Sequence, residues 1–195
     1  MTTFRLYLEL GIHHIANLAG YDHILFIAAL CAVYAYTEWK RVLVLVTAFT
    51  IGHSITLALA STRLIHYSTS LIELLIPVTI FITGLWNVLQ SKEEVALGFH
   101  RFKYATALFF GLIHGLGFSN YLRGLLGEEE HILLPLFSFN LGLEIGQIFI
   151  VITVLIVSAL LVNLAGVRRR DWNLVLSGAA MGVSLILIID RLPQL

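Results

Sequence analysis

The sequence has 195 residues, of which 58% are hydrophobic and 12% are charged, and its formal net charge is zero. Since soluble domains are about a quarter charged, this composition indicates an integral membrane protein. The lack of basic tracts excludes nucleic-acid binding as a function, and the single cysteine, Cys31, excludes an intramolecular disulfide.

The first predicted element is a helix over residues 4–18. Polar residues recur at every fourth position of this segment, at Arg5, Glu9, His13 and Asn17. The pattern predicts a helix that lies at the membrane interface or packs on a bundle. Because Glu9, His13 and His14 interrupt the apolar run that a signal peptide requires, we expect no cleaved leader.

Six apolar runs follow, and each approaches the roughly 20 residues that a helix needs to cross a membrane. They predict transmembrane helices over residues 22–37, 41–60, 71–90, 103–120, 133–162 and 172–190. The expected fold is therefore all-α. It is a single polytopic bundle over residues 1–195, with about six spans in a lipid bilayer and the leading helix at its surface or partly inserted.

Lysine and arginine residues are distributed unequally between the two sides that six spans define. The loops 38–41, 91–103 and 163–171 carry eight of them, and the opposite side carries four. Because cytoplasmic loops hold the excess of positive charge, we expect both termini to be extracytoplasmic.

Ionisable side chains concentrate in the outer half of this predicted bundle. Asp22 and His23 open the first span, and Glu144 enters the fifth span from the outer side. His53 and His114 lie about 10 Å below the outer ends of their spans. Such groups are costly inside a membrane and mark functional sites. Burial favours neutral imidazole, the form that binds metals. We therefore predict a divalent-metal site with the ligands His14, Asp22, His23, His53, His114 and Glu144.

Uncharged polar residues accompany these predicted ligands. Thr50 and Ser54 lie near the face of His53 and are expected to orient its imidazole. Asn140 and Gln147 form one polar stripe with Glu144, which is expected to point inward. Three plainer interpretations stay open: hydrogen-bonded core histidines, an interfacial helix start at Asp22 and His23, and interhelical hydrogen bonding by the stripe.

Four segments resemble the HupE/UreJ family of bacterial membrane proteins, namely HHIANLAGYDHILF, FTIGHSITLAL, GLIHGLGFSNYLR and FNLGLEIGQI. In the compact form of that family, a His-Pro pair precedes the Asp-His pair by six residues. Here Ile15 follows His14, and His14 lies eight residues before Asp22. In these features the chain resembles a divergent branch of the family. The resemblance implies a protein of the bacterial cytoplasmic membrane with six or seven spans, which transports nickel or cobalt.

Two functions are compatible with the predicted site, and imidazole and carboxylate ligands suit nickel, cobalt and also zinc. The first is a permease for nickel or cobalt. The second is an intramembrane metalloenzyme, a hydrolase or oxygenase, in which His23, His53 and His114 hold the metal and Asp22 or Glu144 is the general base. The inner halves of the spans favour the enzyme, because they carry no second set of ionisable ligands, whereas transporter sites lie near the midplane. A scaffold subunit is a third possibility, and the oligomeric state is not predicted.

Overall fold

The computed structural model describes residues 2–61, 67–90, 97–126 and 132–195. Within these ranges the chain forms seven α-helices and no strand, which confirms the all-α fold. They are α1 (Thr3–Ala16), α2 (Asp22–Cys31), α3 (Trp39–Ser61), α4 (Thr69–Leu89), α5 (Leu97–Leu126), α6 (Leu133–Ala159) and α7 (Arg169–Arg191). A wide helical turn, Leu160–Leu164, extends α6.

Four helices in the described part of the chain have the length and the apolar composition of a membrane span. They are Tyr36–Ala60, Thr69–Leu89, Leu133–Leu164 and Arg169–Gln194. With its 30 residues α5 is also long enough to cross a bilayer, but polar residues such as Lys103, His114 and Asn120 make it less apolar. The apolar helices place the chain in a membrane, while the total of six spans stays a prediction.

The first predicted span, residues 22–37, corresponds to a much shorter helix. The α-helix begins at Asp22 but ends at Cys31 after ten residues, which is about 15 Å or half of the hydrocarbon thickness. After two turn residues the chain is extended before a short helical turn, Tyr36–Glu38, leads into α3. The apolar run therefore covers a helix, a connection and a turn.

Helices α1 and α2 run in the same direction along α5 and form one discontinuous element. The Tyr7 hydroxyl of α1 donates to the Leu125 carbonyl near the end of α5 (3.3 Å). Further along, the ring of His14 contacts Phe118, with 3.8 Å between centroids. In α2 the contacts continue to earlier residues of α5. The break between the two helices, residues 17–21, thus lies beside the second half of α5.

Two helix pairs approach each other closely at glycines. A Cβ atom on Gly111 of α5 would lie 2.1 Å from the Phe49 carbonyl oxygen of α3, and one on Gly11 of α1 would lie 2.1 Å from the Phe139 carbonyl oxygen of α6. Because real side chains do not tolerate such contacts, only glycine permits this backbone spacing. The tight pairs α3–α5 and α1–α6 hold the two sides of the candidate site.

A buried polar network connects α2, α4 and α7. Asn87 of α4 donates from Nδ2 to the Ala29 carbonyl of α2 (2.7 Å), and Asn173 of α7 donates to the Asn87 carbonyl (2.9 Å). The Ala29 carbonyl, in the last turn of α2, accepts only one other hydrogen bond among the described residues, a long one from the Ala32 N–H (3.3 Å). Asn87 therefore stabilises the end of this short helix inside the bundle.

Candidate metal centre

Three histidines from three helices meet at the break between α1 and α2. His14 lies two residues before the end of α1, His23 is the second residue of α2, and His53 lies in α3. One ring nitrogen of each lies within 4.8 Å of the others. The ring centroid of His14 is 4.7 Å from that of His23 and 5.9 Å from that of His53. This spacing lets the three imidazoles share one metal ion.

A fourth histidine, His114 of α5, borders the same space. Its ring centroid is 5.2 Å from that of His23, and its side chain is buried. The close contact between α3 and α5 brings His114 to the level of His53, because a Cβ atom on the adjacent Gly115 would lie 2.3 Å from the His53 carbonyl oxygen. We call His14, His23, His53 and His114 the four-histidine pocket.

Each histidine of the pocket has a buried ring nitrogen without a hydrogen-bond partner among the described residues. These atoms are Nε2 of His14, Nε2 of His23, both ring nitrogens of His53 and Nδ1 of His114. Leaving one buried polar atom unpaired costs about 1–3 kcal/mol. A divalent cation would accept the lone pairs of His14, His23 and His53, whose nitrogens lie within 4.8 Å of one another, so these residues fit a metal ion that His114 borders.

Two side chains fix the orientation of two of the imidazoles. Oδ1 of Asp22 lies 3.1 Å from Nδ1 of His23, and Oγ1 of Thr79 lies 3.0 Å from Nε2 of His114. In both rings the other nitrogen is therefore the one available to a metal. Carboxylate and hydroxyl partners of this kind hold ligand histidines in metal sites. Sequence reasoning treated Asp22 as a ligand and missed Thr79, whose only signal is a polar residue on an apolar helix.

The hydroxyl groups expected to orient His53 bond elsewhere. Ser54 donates to the Thr50 carbonyl (2.6 Å), and Oγ1 of Thr50 lies within hydrogen-bond distance of the Val46 carbonyl and of Gln147. Serine and threonine in helices commonly bond to the carbonyl four residues earlier, which draws these hydroxyls away from the ring. This corrects the orienting role expected for Thr50 and Ser54.

The polar stripe of α6 is separate from the histidines. Glu144 accepts a hydrogen bond at Oε1 from Thr47 of α3 (2.6 Å), and Gln147 contacts Thr50. The ring nitrogens that lie within 4.8 Å of one another are those of His14, His23 and His53, and this group includes neither His114 nor Glu144. For Glu144 the reason is that the stripe faces α3, whereas a different face of α6 contacts α1. The ligand role expected for Glu144 stays a prediction, and Asn140 and Gln147 belong to the same stripe.

Two cavities give access to the pocket from one end of the bundle. The first, of about 250 Å³, is lined by residues that include His14, Asp22, His23, Glu73, His114 and Arg191. The second, of about 500 Å³, lies on the other side of His14 beside Asn17 and Tyr121. Glu73 is near the start of α4 and Arg191 ends α7, so the first cavity opens where these helix ends meet.

Replacing Asp22 by asparagine is expected to weaken metal binding by about 10–100-fold. An amide still accepts a hydrogen bond from His23 but no longer supports the imidazole with a negative charge. Optical titration of the purified protein with cobalt measures the affinity. Asp171→Asn is the matched control, because Asp171 forms an exposed ion pair with Arg168 (2.7 Å) at the start of α7. Equal affinities in both variants would contradict the orienting role of Asp22.

The sequence was compared with protein families, curated proteins and solved structures. A family model described as HupE/UreJ protein matches residues 1–190. No curated protein and no solved structure matches the chain. The matched range contains all four histidines of the pocket. It also covers all seven helices except Arg191, the last residue of α7. The chain is a member of the HupE/UreJ family.

Proposed function

We propose that this protein transports a divalent transition-metal ion, nickel or cobalt, and that the four-histidine pocket receives the ion. One observation carries the proposal: three buried imidazoles and the half-buried His14 present buried, unpaired nitrogens to one space at the break of a discontinuous helix. Discontinuous helices are typical of substrate sites in secondary transporters. The HupE/UreJ family, to which the chain belongs, is associated with nickel and cobalt transport, which supports the same conclusion.

The surroundings of the pocket suit capture of a hydrated cation. The approach cavity contains the carboxylates of Asp22 and Glu73 and one guanidinium, that of Arg191, so its carboxylates outnumber its cationic side chains. Phe118 and Phe49 lie against the imidazoles, which keeps water away once the ion has lost its hydration shell. The excess of lysine and arginine in the opposite loops supports an extracytoplasmic opening in a bacterial cytoplasmic membrane.

Uptake by purified protein in liposomes tests the proposal directly. Liposomes that contain a metal-sensitive dye are expected to accumulate nickel or cobalt from outside when they carry the wild-type protein, and zinc is assayed in parallel. The double variant His53→Ala, His114→Ala is expected to reduce uptake to the level of empty liposomes, because it removes two of the four imidazoles. Uptake that is equal in both proteins would contradict transport through this pocket.

A metal-dependent enzyme is the second candidate, and the cavity of about 250 Å³ beside the pocket favours it. A small substrate would fit there, a metal held by His23, His53 and His114 would activate water, and Asp22 would be the general base. Glu144, the other base considered from the sequence, lies apart against Thr47. If the purified protein binds metal tightly in a fixed stoichiometry and liposomes that carry it show no uptake, the enzyme is the correct function.

A further inference from the structure

The polar stripe of α6 carries buried oxygen and nitrogen atoms that the histidine pocket does not use. Oδ1 of Asn140, Oε2 of Glu144 and Nε2 of Gln147 are all buried and have no hydrogen-bond partner among the described residues. Gln147 as a whole has no exposed surface. If the stripe served only to connect helices, these atoms would be paired. Three unpaired atoms in a row therefore indicate a ligand.

The hydrogen bonds of Thr50 show which atom of Gln147 is free. Oγ1 of Thr50 lies 3.1 Å from the Val46 carbonyl and 2.7 Å from Oε1 of Gln147, but a hydroxyl has one hydrogen to donate. If the amide is turned by 180°, Gln147 donates to Thr50 and Thr50 donates to Val46. In this orientation one more polar group has a hydrogen-bond partner. The oxygen and nitrogen of a side-chain amide are assigned from such hydrogen-bond networks. The stripe then presents three unpaired oxygens.

The stripe contacts α3 nearer to the middle of that helix than His53 is. Its partners Thr50 and Thr47 precede His53 by three and six residues, which is about 4.5 and 9 Å along the helix. Residues three or four apart on α6 have Cβ atoms about 5–6 Å from each other. Glu144 can therefore share one ion with Asn140 or with Gln147, a short step from His53.

We propose that Glu144, together with Gln147, forms a second cation station, which receives the metal ion after it leaves the four-histidine pocket. The inference rests on the proposed transport function and specifies its path. Carboxylate and amide oxygens bind nickel and cobalt less selectively than imidazole does. Conduction requires sites from which an ion can leave again, and an oxygen-lined station beside the imidazoles meets that requirement. Thr47 pairs the other carboxylate oxygen of Glu144 and holds the side chain in place.

The variant Glu144→Gln tests this station independently of the pocket. We expect cobalt binding to the four-histidine pocket to stay within about twofold of wild type, because no imidazole changes, and liposome uptake to fall about tenfold or more, because the charged ligand is lost. Glu9→Gln is the matched control, since Glu9 forms an exposed ion pair with Arg5 on α1 (2.8 Å), and its uptake should equal that of wild type. Unchanged uptake in Glu144→Gln would overturn the station and leave the proposed function intact.

Retained cobalt binding also shows that Glu144→Gln has folded. Loss of that binding would place Glu144 in the pocket or in the fold and would overturn a separate station. The double variant Glu144→Gln, Gln147→Glu returns the carboxylate to the stripe one turn away, and we expect it to recover uptake above the level of Glu144→Gln. A failure to recover would assign Glu144 a structural role and contradict the proposal. If wild-type protein shows no uptake, the proposed function fails, and this inference fails with it.

Discussion

Replacing His53 by alanine is expected to weaken cobalt binding by about a hundredfold or more, because losing a residue that only orients a ligand already costs about 10–100-fold and His53 would itself be a ligand. His53 is fully buried, and neither ring nitrogen has a hydrogen-bond partner in the described part of the chain. No other described contact explains why the bundle retains a polar ring at this position. Equilibrium titration with cobalt, followed by the visible absorption of the bound ion, measures the change.

His13→Ala is the control for this substitution. His13 neighbours His14 in α1 but is exposed and lines the cavity of about 500 Å³, so its removal should leave the equilibrium affinity unchanged. Both variants delete the same side chain, and a general effect of losing histidine is thereby excluded. Comparable losses in the two variants, or none in His53→Ala, would show that the pocket is not the binding site.

Replacing Gly111 by alanine is expected to destabilise the protein by about 1–3 kcal/mol, the usual cost of overpacking. The added Cβ atom would lie 2.1 Å from the Phe49 carbonyl oxygen. Since that atom is backbone, α3 and α5 must move apart. His53 and His114 follow four residues after Phe49 and three residues after Gly111, so metal affinity should fall together with stability. Thermal unfolding and cobalt titration of the same sample measure both effects.

Gly124→Ala, in the same helix, provides the comparison. A Cβ atom on Gly124 meets nothing within 4 Å, so this variant should match wild type in unfolding temperature and in cobalt affinity. If Gly111→Ala also behaves like wild type, the spacing of α3 and α5 described above is incorrect. If Gly111→Ala loses stability but keeps full affinity, the histidines do not depend on this helix contact.

The imidazoles of the candidate site could be predicted from the sequence, because the cost of burying ionisable groups in a membrane applies to each residue separately. The structure brings His14, His23, His53 and His114 to one space, as expected. The role of Glu144 could not be predicted in this way. Depth along a helix is visible in a sequence, but the neighbour that a helix face contacts depends on packing, and α6 turns Glu144 towards Thr47.

The all-α fold followed from the apolar runs, whereas the discontinuous element α1–α2 did not. Residues Ala32 to Tyr36 contain no charged residue that would interrupt the apolar run, so hydropathy alone does not indicate that α2 ends at Cys31. Thr79 was also missed. Its pairing with His114 arises because α4 and α5 pack side by side, which no local pattern reveals.

The central claim is that the histidines of the pocket jointly hold a divalent metal ion. X-ray absorption of wild-type protein loaded with one equivalent of nickel tests it most directly, because the outer scattering of imidazole rings identifies and counts histidine ligands. We expect a first shell that includes nitrogen from at least three imidazoles and that loses one of them in His53→Ala. A shell of oxygen atoms without imidazole scattering would contradict it.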